Sequence, residues 1–437
     1  MLRILSRPAI RLMERRLPDA FIFVLVLTII AMLAAMGIQR SSPVDMIRMW
    51  GDGFWALLSF SMQMLLVLVT GYILASSPPV KKLLTALAAQ AKSGGMAIIM
   101  VTLVSLAASW INWGFGLVVG AIFARELAKQ VRVDYRLLVA SAYSGFVIWH
   151  GGISGSIPLT VATEGHFTAD QIGIIPTSET IFASWNLLIV IAVVIALPIA
   201  NRMMMPSEDE TVLVDPKVLG NDEALPPLPE NATPAQRMEN SRILMWLVGI
   251  PGIIWLVLHF FGGGGLNLNV VNFAFLFIGL TLHGTARSLL AALDDAVKGG
   301  AGIVIQFPFY AGIMAIMTGT GLAATMSEWF VSISTDQTLP FWSFIAAGIV
   351  NIFVPSGGGQ WAVQAPIMLP AAEALGADVS KVIMGVAWGD AWTNLLQPFW
   401  ALPMLGIAGL KARDIMGFCV VLLLITGVII GGILWMI

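Results

Sequence analysis

Apolar runs long enough to cross a lipid bilayer recur throughout this sequence and constrain its fold more than any other feature. Residues 21–37, 182–200 and 418–435 approach or reach the roughly 20 residues that a membrane-spanning helix requires. The chain of 437 residues is 58% hydrophobic and 11% charged, which is more apolar surface than a soluble domain can hide. Because the bilayer interior offers no partners to backbone N–H and C=O groups, such runs must form helices. The sequence therefore predicts an all-α polytopic membrane protein.

Nine apolar segments have the length of single spans. A basic stretch of twenty residues leads into a first span too long for a signal-peptide core, so we expect an uncleaved first helix. The net charge of −2 gives no indication of nucleic-acid binding, and the single cysteine, Cys419, excludes disulfides and cysteine-based metal sites within one chain. We expect no cofactor and no metal site. The predicted spans lie at 20–38, 54–75, 137–163, 180–200, 242–261, 266–283, 298–318, 381–409 and 414–436.

Two further apolar segments, 95–127 and 340–374, are interrupted at their centres and occupy matching places in the two halves of the chain. The first breaks at 112–116, with the sequence NWGFG, and the second at 356–360, with the sequence SGGGQ. Paired glycine-interrupted hydrophobic segments indicate the substrate site of a secondary transporter. Each segment is long enough for one strongly tilted helix, or for two short limbs that enter the membrane and return.

The distribution of basic residues favours re-entrant hairpins over single tilted helices. If both segments are re-entrant hairpins and the N-terminus is cytoplasmic, 20 of the 23 Lys and Arg residues lie on the cytoplasmic side, where basic residues are enriched. Only Arg40, Arg48 and Lys381 then lie outside. A single crossing by 95–127 would move the basic cluster at 125–136 outside and weaken the bias. We therefore predict about nine full spans plus two re-entrant helical hairpins, with the C-terminus in the periplasm.

This topology sends the two hairpins in from opposite faces, which predicts two inverted repeats. A shift of roughly 244 residues brings Asp134 onto Asp378 and other small or apolar positions onto each other. A polar, proline-rich stretch separates the halves and is typical of a linker. In chain order we expect an N-terminal repeat 1–200 with hairpin 95–127 and broken helix 137–163, a cytoplasmic linker 201–241, and a C-terminal repeat 242–437 with hairpin 340–374 and broken helix 381–409.

Each hairpin is followed by a span that is itself interrupted by glycine or proline. Such interruptions free backbone N–H groups and create half-helix N-termini, both of which favour an anion. No Lys or Arg lies deep in any predicted span, so the anion would meet backbone amides and neutral donors. A small monocarboxylate suits such a site, whereas a dicarboxylate or citrate would call for extra donors. The predicted substrate-binding residues are Asn112, Trp113, Gly114, Gly116, Gly152, Ser154, Ser156, Ser356, Gly357, Gly358, Gly359, Gln360, Trp361, Thr393, Asn394 and Gln397.

Asp390 is the one acidic residue that we place well inside a span, where a carboxylate is costly and by default functional. It is the predicted ion-coupling group, carrying a proton or helping to ligate Na⁺; the alternative is a structural hydrogen-bond partner. His150 also lies inside a span and could titrate near neutral pH, although a neutral, hydrogen-bonded histidine is the simpler interpretation. Five tryptophans crowd the breaks as interfacial anchors or as an apolar wall for a short acyl chain: Trp113, Trp361, Trp388, Trp392 and Trp400.

Six motifs run from near the N-terminus towards the last span: WGDGFW (50–55), INWGFGLVVGA (111–121), FPFYAGI (307–313), VPSGGGQW (354–361), QAPIMLPAAEALGAD (364–378) and QPFWALP (397–403). Together they resemble the bacterial short-chain fatty acid transporter family, of the acetoacetate/butyrate carrier type, within the ion-transporter superfamily of the sodium/dicarboxylate symporters. The resemblance implies inverted repeats, re-entrant hairpins and an elevator-type transport domain that slides past a dimeric scaffold. It also implies that substrate and ion bind at the hairpin tips, 112–116 and 356–360, and at the unwound segments 151–156 and 390–397.

The sequence therefore predicts a secondary active transporter of the bacterial inner membrane that takes up short-chain fatty acids such as acetoacetate and butyrate. Transport would be ion-coupled, by Na⁺ or H⁺, through alternating access. The alternatives are a carrier for dicarboxylates or other organic anions and an anion channel. The sequence contains no HExxH motif, no acid-rich polyprenyl-phosphate motif and no Ser/His pair, and so does not favour an intramembrane enzyme. The expected partners are a small carboxylate, membrane lipid and, from the resemblance alone, a second copy of the chain.

Overall fold

The computed structural model describes residues 20–215, 219, 228–352, 354 and 356–437, and every regular element in this part of the chain is helical. The basic residues between positions 3 and 16, which support the predicted cytoplasmic N-terminus, lie outside the described residues. The first α-helices are α1 (Ala20–Gln39), α2 (Pro43–Gly53), α3 (Leu58–Ser76), α4 (Pro78–Ala88), α5 (Gly94–Ile111), α6 (Trp113–Gln130), α7 (Tyr135–Ser144), α8 (Ser156–Val161), α9 (Ala169–Ile172) and α10 (Ser184–Met203). The remaining α-helices are α11 (Pro234–Glu239), α12 (Arg242–Phe261), α13 (Leu268–His283), α14 (Ala286–Gly319), α15 (Leu322–Ile333), α16 (Leu339–Asn351), α17 (Gly357–Leu375), α18 (Val379–Thr393), α19 (Pro398–Ala408) and α20 (Ala412–Met436).

Seven helical stretches in the described residues are long and apolar enough to cross a membrane, which confirms the expected all-α polytopic class. The predicted span 20–38 corresponds to the 20-residue helix α1, 266–283 to the shorter apolar helix α13, and 381–409 is divided between α18 and α19. The helices α2, α4 and α15 lie outside the predicted spans, and each has 11 or 12 residues, too few to cross a bilayer. The seven stretches are Leu58–Ser76, Gly94–Ile111, Tyr135–Val161, Ser184–Met203, Pro234–Phe261, Gly300–Gly319 and Ala412–Met436.

Helices α5 and α6 fold back on each other at Asn112, and we call this pair hairpin 1. Asn112 has extended backbone (φ −156°, ψ 129°), ends α5, and begins α6 by accepting a 2.9 Å hydrogen bond from Phe115 N–H on its Oδ1. A Cβ at Gly120 would lie 2.8 Å from Ser105 Oγ, so the antiparallel arms touch closely. The segment is two helices in contact rather than one continuous helix.

Helices α16 and α17 form a second such pair, hairpin 2, joined by residues 352–356. Ser356 begins α17, and its Oγ accepts a 3.3 Å hydrogen bond from Gly359 N–H. Gln360 Nε2 donates to Ala347 O at 2.8 Å, which ties the start of α17 to the end of α16. The caps of the two hairpins, Asn112 and Ser356, are 244 residues apart. Each accepts a hydrogen bond from the backbone N–H three residues further along the chain.

Each hairpin is followed by an interrupted helix that begins at an aspartate. Asp134 Oδ1 accepts from Leu137 N–H at 3.0 Å at the start of α7, and Asp378 Oδ1 accepts from Ser380 N–H at 2.9 Å at the start of α18. Helix α7 continues as a 3₁₀ helix, Gly145–Gly151, and leaves helical conformation before α8. Helix α18 continues as the 3₁₀ helix Asn394–Leu396 before α19. The first arm of each hairpin packs against the interrupted helix that follows it.

Part of the predicted linker 201–241 is attached to the start of α7. Val212 N–H donates to Asp134 Oδ2 at 2.9 Å, and Val212 O accepts from Tyr135 N–H at 2.8 Å. The same aspartate therefore caps α7 and fixes the chain that leaves α10. Residues 216–218 and 220–227 of the linker lie outside the described residues.

Candidate functional site

The tip of hairpin 1 rests on the break between α7 and α8. Trp113 N–H donates to Ser154 Oγ at 2.9 Å, and Ile153 N–H donates to Trp110 O at 2.7 Å. The indole Nε1 of Trp110 donates to Gly151 O at 3.1 Å. The backbone groups that the break removes from the helix are therefore satisfied by the hairpin, as non-helical backbone at membrane depth requires.

The tip of hairpin 2 rests on the break between α18 and α19 in a comparable way. Asn351 Nδ2 donates to Asp390 O at 2.8 Å and to Thr393 Oγ1 at 2.9 Å. Gln397 Nε2 donates in turn to Asn351 O. The side chains of Asn351 and Gln397 thus tie the end of α16 to the end of α18 and the start of α19.

The two breaks are also joined to each other. Trp149 Nε1 donates to Asn394 Oδ1 at 2.9 Å, and Tyr143 O–H donates to Asn394 O at 2.6 Å. His150 Nδ1 lies 2.8 Å from Ala387 O and 3.0 Å from Asp390 Oδ2. Because both neighbours of Nδ1 are acceptors, this nitrogen must carry a proton.

The other ring nitrogen of His150, Nε2, lies 2.9 Å from Ser156 Oγ. His150 and Asp390 are fully buried, and Ser156 is buried. The fold thus assembles a Ser/His pair and a carboxylate that the sequence did not reveal as a unit. The signal was weak because 240 residues separate His150 from Asp390, and six separate it from Ser156 across a break in the helix.

A cavity of about 730 Å³ lies where the two hairpin tips meet the first break. Six of the predicted substrate-binding residues line it: Trp113, Gly114, Ser156, Ser356, Gly357 and Gly358. The lining continues to Asp295 and Lys298 in the first part of α14, whose side chains are 58% and 76% exposed, so the cavity meets the surface there. Trp400 lines it as predicted, whereas Trp361, Trp388 and Trp392 are not among its lining residues.

The chemistry of the lining suits an anion with an apolar tail. Gly357 and Gly358 open α17, and the first N–H groups of a helix lack intrahelical acceptors and lie at the positive end of its dipole. Trp113 Nε1 is buried without a hydrogen-bond partner and belongs to a side chain that lines the cavity. A Cβ at Gly357 would collide with the His150 ring and Ser156 Oγ, so only glycine allows this approach.

The other predicted site residues are not among those that line the cavity. Asn112 caps α6 and donates from Nδ2 to Val67 O at 3.4 Å, while Gln360 Nε2 is shared between Ala347 O and Gln364 Oε1. Their direct contact with substrate stays a prediction. The residues in this group are Asn112, Gly116, Gly152, Ser154, Gly359, Gln360, Trp361, Asp390, Thr393, Asn394 and Gln397.

The sequence did not predict most of the residues that line the cavity opposite the hairpin tips. Helix α3 contributes Met64 and Leu68, and α14 contributes Gln306 and Phe307. The sequence signals were the FPFYAGI motif, which contains Phe307, and Gln306, a polar residue within the predicted span 298–318, but neither indicates what these side chains face. Among the described residues, no three His, Cys, Asp or Glu side chains are grouped as metal ligands would be.

The sequence profile of the short-chain fatty acid transporter family matches residues 1–437. The chain belongs to this family. A relative from Escherichia coli strain K12, provisionally named a short-chain fatty acid transporter, is 46% identical over 97% of each chain. A second relative with the same provisional name, from Haemophilus influenzae, is 44% identical over 96% of each chain.

The crystal structure of the YdaH transporter of Alcanivorax borkumensis has a related fold. The superposition covers 95% of the chain described above and 98% of the YdaH chain, with a TM-score of 0.60 at 14% sequence identity. At that identity the likeness concerns the fold alone.

Proposed function

We propose that this chain is a secondary active transporter that takes up short-chain fatty acids, such as acetoacetate and butyrate, by ion-coupled alternating access. The observation that carries the proposal is the single cavity in which both hairpin tips, Trp113–Gly114 and Ser356–Gly358, meet. It combines the positive end of α17 with an aromatic wall. Such a combination recognises a carboxylate and a short acyl chain together.

The proposed substrate is a monocarboxylate. Its oxygens would accept from the N–H groups of Gly357 and Gly358, from Ser156 Oγ–H and from Trp113 Nε1–H. Its carbon chain would lie against Phe307 and Trp400. Among the described residues that line the cavity, the only basic one is Lys298, which lies at the mouth and not near the tips. A second carboxylate would therefore lack a buried partner, which ranks dicarboxylates and other organic anions as the alternative cargo.

The proposed mechanism treats the two halves as inverted repeats with re-entrant hairpins. Its support is the set of matched features 244 residues apart, which include the caps Asn112 and Ser356 and the aspartates Asp134 and Asp378. With Lys298 on the cytoplasmic side, as the charge distribution predicts, the cavity is open to the cytoplasm. We further propose an elevator-type movement in a homodimer of the inner membrane, with the C-terminus periplasmic and the sodium/dicarboxylate symporters as distant relatives.

Uptake by purified protein in liposomes tests this proposal. Vesicles loaded with unlabelled acetoacetate should accelerate the entry of labelled acetoacetate over protein-free vesicles, which control for passage of the free acid through lipid. Acceleration by internal substrate distinguishes a carrier from an anion channel, because only a carrier returns its site loaded. Competition by succinate as strong as that by butyrate would favour the dicarboxylate alternative. Absence of exchange, together with absence of accumulation under imposed Na⁺ and pH gradients, would contradict the proposal.

A further inference from the structure

We infer that the coupling ion is a proton, that the His150–Asp390 pair binds it, and that Ser156 connects this pair to the substrate cavity. The inference rests on the proposed function, since it assigns the ion that would drive transport through the same cavity. Asp390 was predicted as a coupling group for either Na⁺ or H⁺; the geometry adds His150 and Ser156 and selects the proton.

A continuous line of polar contacts leads from the cavity to the carboxylate. Ser156 lines the cavity, and its Oγ lies 2.9 Å from His150 Nε2. His150 Nδ1 lies 3.0 Å from Asp390 Oδ2. A proton delivered to Ser156 Oγ from the cavity releases the hydroxyl proton to Nε2. The product is an imidazolium whose Nδ1 lies 3.0 Å from Asp390 Oδ2, close enough for an ion pair. The serine regains its hydroxyl, and no other group changes.

The described helices that surround the pair place no charged side chain beside it that could balance its charge. The elements that pack against the 3₁₀ helix 145–151 and against α18 carry charged residues only near their far ends: Arg125, Glu126, Lys129, Arg136, Arg202, Glu373, Lys381, Arg413 and Asp414. The closest in sequence to Asp390, Lys381, is nine residues away along α18, or about 13 Å. In the described part of the chain, the other titratable group that interacts with Asp390 is Tyr310 from α14. Tyr143 from α7 donates to Asn394 O at 2.6 Å, one turn beyond Asp390, and both phenols are uncharged at neutral pH.

The net charge of the His150–Asp390 pair is therefore set by the number of protons that it binds. With a neutral imidazole, Asp390 leaves one uncompensated negative charge in a fully buried site, which is strongly unfavourable. One added proton gives a pair with no net charge. The Trp149 ring, stacked on His150 with centroids 3.6 Å apart, further favours the cationic imidazole. Binding one proton removes the net charge of this buried pair, and we therefore assign it as the proton-binding site.

Substrate and proton sites adjoin at Gly357. A Cβ on this glycine would meet both Ser156 Oγ and the His150 ring, so a carboxylate at the start of α17 would lie against the same two groups. The positive end of α17 disfavours an imidazolium when the cavity lacks an anion, and a bound carboxylate reverses this effect. Each ligand then raises the affinity for the other by the same factor, which is the linkage that a symporter requires.

The first experiment uses the wild-type protein. In weakly buffered detergent solution at mildly alkaline pH, binding of acetoacetate should take up about one proton per substrate, as read by a pH-sensitive dye. In liposomes, a pH gradient should drive accumulation of labelled acetoacetate without sodium. Exchange of acetoacetate with accumulation driven only by a Na⁺ gradient, and no proton uptake, would overturn this inference and leave the proposed function intact. Absence of exchange would reject the proposed function itself.

The second experiment separates the pair from the rest of the molecule. His150→Gln and Asp390→Asn should each reduce the proton uptake that accompanies acetoacetate binding to near zero and abolish accumulation driven by a pH gradient. His259→Gln is the matched control, because His259 lies at the far end of α12 and contacts Gly265 O at 3.1 Å. Proton uptake in both variants equal to that in wild type would overturn the inference.

The third comparison tests the connecting hydroxyl and does not depend on removing the buried pair. Ser156→Ala should slow accumulation driven by a pH gradient by about tenfold or more, since the path from the cavity to Nε2 is interrupted. Ser156→Thr keeps the hydroxyl and should restore most of the rate. Equal rates for Ala and Thr at that position would remove Ser156 from the path.

Discussion

Trp149 Nε1 and Asn394 Oδ1 are joined by a hydrogen bond of 2.9 Å that connects the two interrupted helices. Asn394 is fully buried, and its backbone carbonyl also accepts from Tyr143 O–H at 2.6 Å. One residue of the second break therefore holds both the 3₁₀ helix and the end of α7 in the first half. These contacts fix the two interrupted helices relative to each other beside the cavity, which Trp149 lines.

We expect Asn394→Leu to lower the free energy of unfolding by about 1–3 kcal/mol, because it leaves the buried Trp149 Nε1–H without an acceptor. The measurement is equilibrium unfolding in detergent followed by far-UV circular dichroism. In the double variant with Trp149→Phe, which has no indole N–H, the loss should be clearly smaller than the sum of the single losses. Additive losses would contradict a direct energetic link between the two side chains.

Gly357→Ala should abolish substrate binding, because the added Cβ would fill the space shared by His150 and Ser156 at the start of α17. The test is acetoacetate binding by isothermal titration calorimetry. The matched control is Gly432→Ala on α20, where a Cβ would meet nothing within 4 Å. The control should bind normally and gain up to about 1 kcal/mol of stability from better helix propensity. Normal binding by Gly357→Ala would place the carboxylate elsewhere.

Trp113→Phe should weaken acetoacetate binding by about tenfold or more, since it removes a donor to a charged acceptor and keeps the aromatic wall. The protein itself should be no less stable, because the indole Nε1–H of Trp113 is buried without a partner. Binding affinity and melting temperature are measured on the same samples. Trp255→Phe, at a side chain 44% exposed on α12, serves as the control. A stability loss with unchanged affinity would indicate a structural indole instead.

The loop that carries His166 should loosen on acidification. Burial lowers the pKa of His166 from its usual 6.5, although Nε2, 2.8 Å from Gly173 O, opposes this by favouring the charged form. Nδ1 must be unprotonated to accept from Thr168 N–H at 3.3 Å. The unfolded loop therefore binds a proton first, so the stabilisation is complete above pH 6.5 and is lost as the pH falls from 6.5 through the lowered pKa.

Hydrogen exchange of residues 162–177, corrected for the intrinsic effect of pH, measures this change. Protection should fall between neutral and mildly acidic pH in the wild type. His166→Gln cannot titrate, so its protection should stay constant over the same range. A parallel decrease in both proteins would assign the effect to another group.

Local chemistry explains why several features could be predicted from the sequence. Asn112 and Ser356 have short side chains that accept hydrogen bonds from their own backbone three residues on, so they mark the hairpin tips without help from the rest of the fold. Asp390 could be selected as a candidate ion-coupling group for a similar reason, because a carboxylate within an apolar run is costly in any membrane-spanning fold. The apolar runs likewise required helices, because the bilayer leaves no other way to satisfy the backbone.

Tertiary packing alone decided which polar residues face the cavity. Gln360 and Ser156 were equivalent as sequence candidates, yet Gln360 is occupied by Ala347 O and Gln364 whereas Ser156 lines the cavity. The meeting of His150 with Asp390, and the wall that Phe307 supplies, depend on contacts between elements far apart in the chain. Periodicity and composition report whether a side chain is buried, but the partner it meets is fixed only by the packing of distant helices.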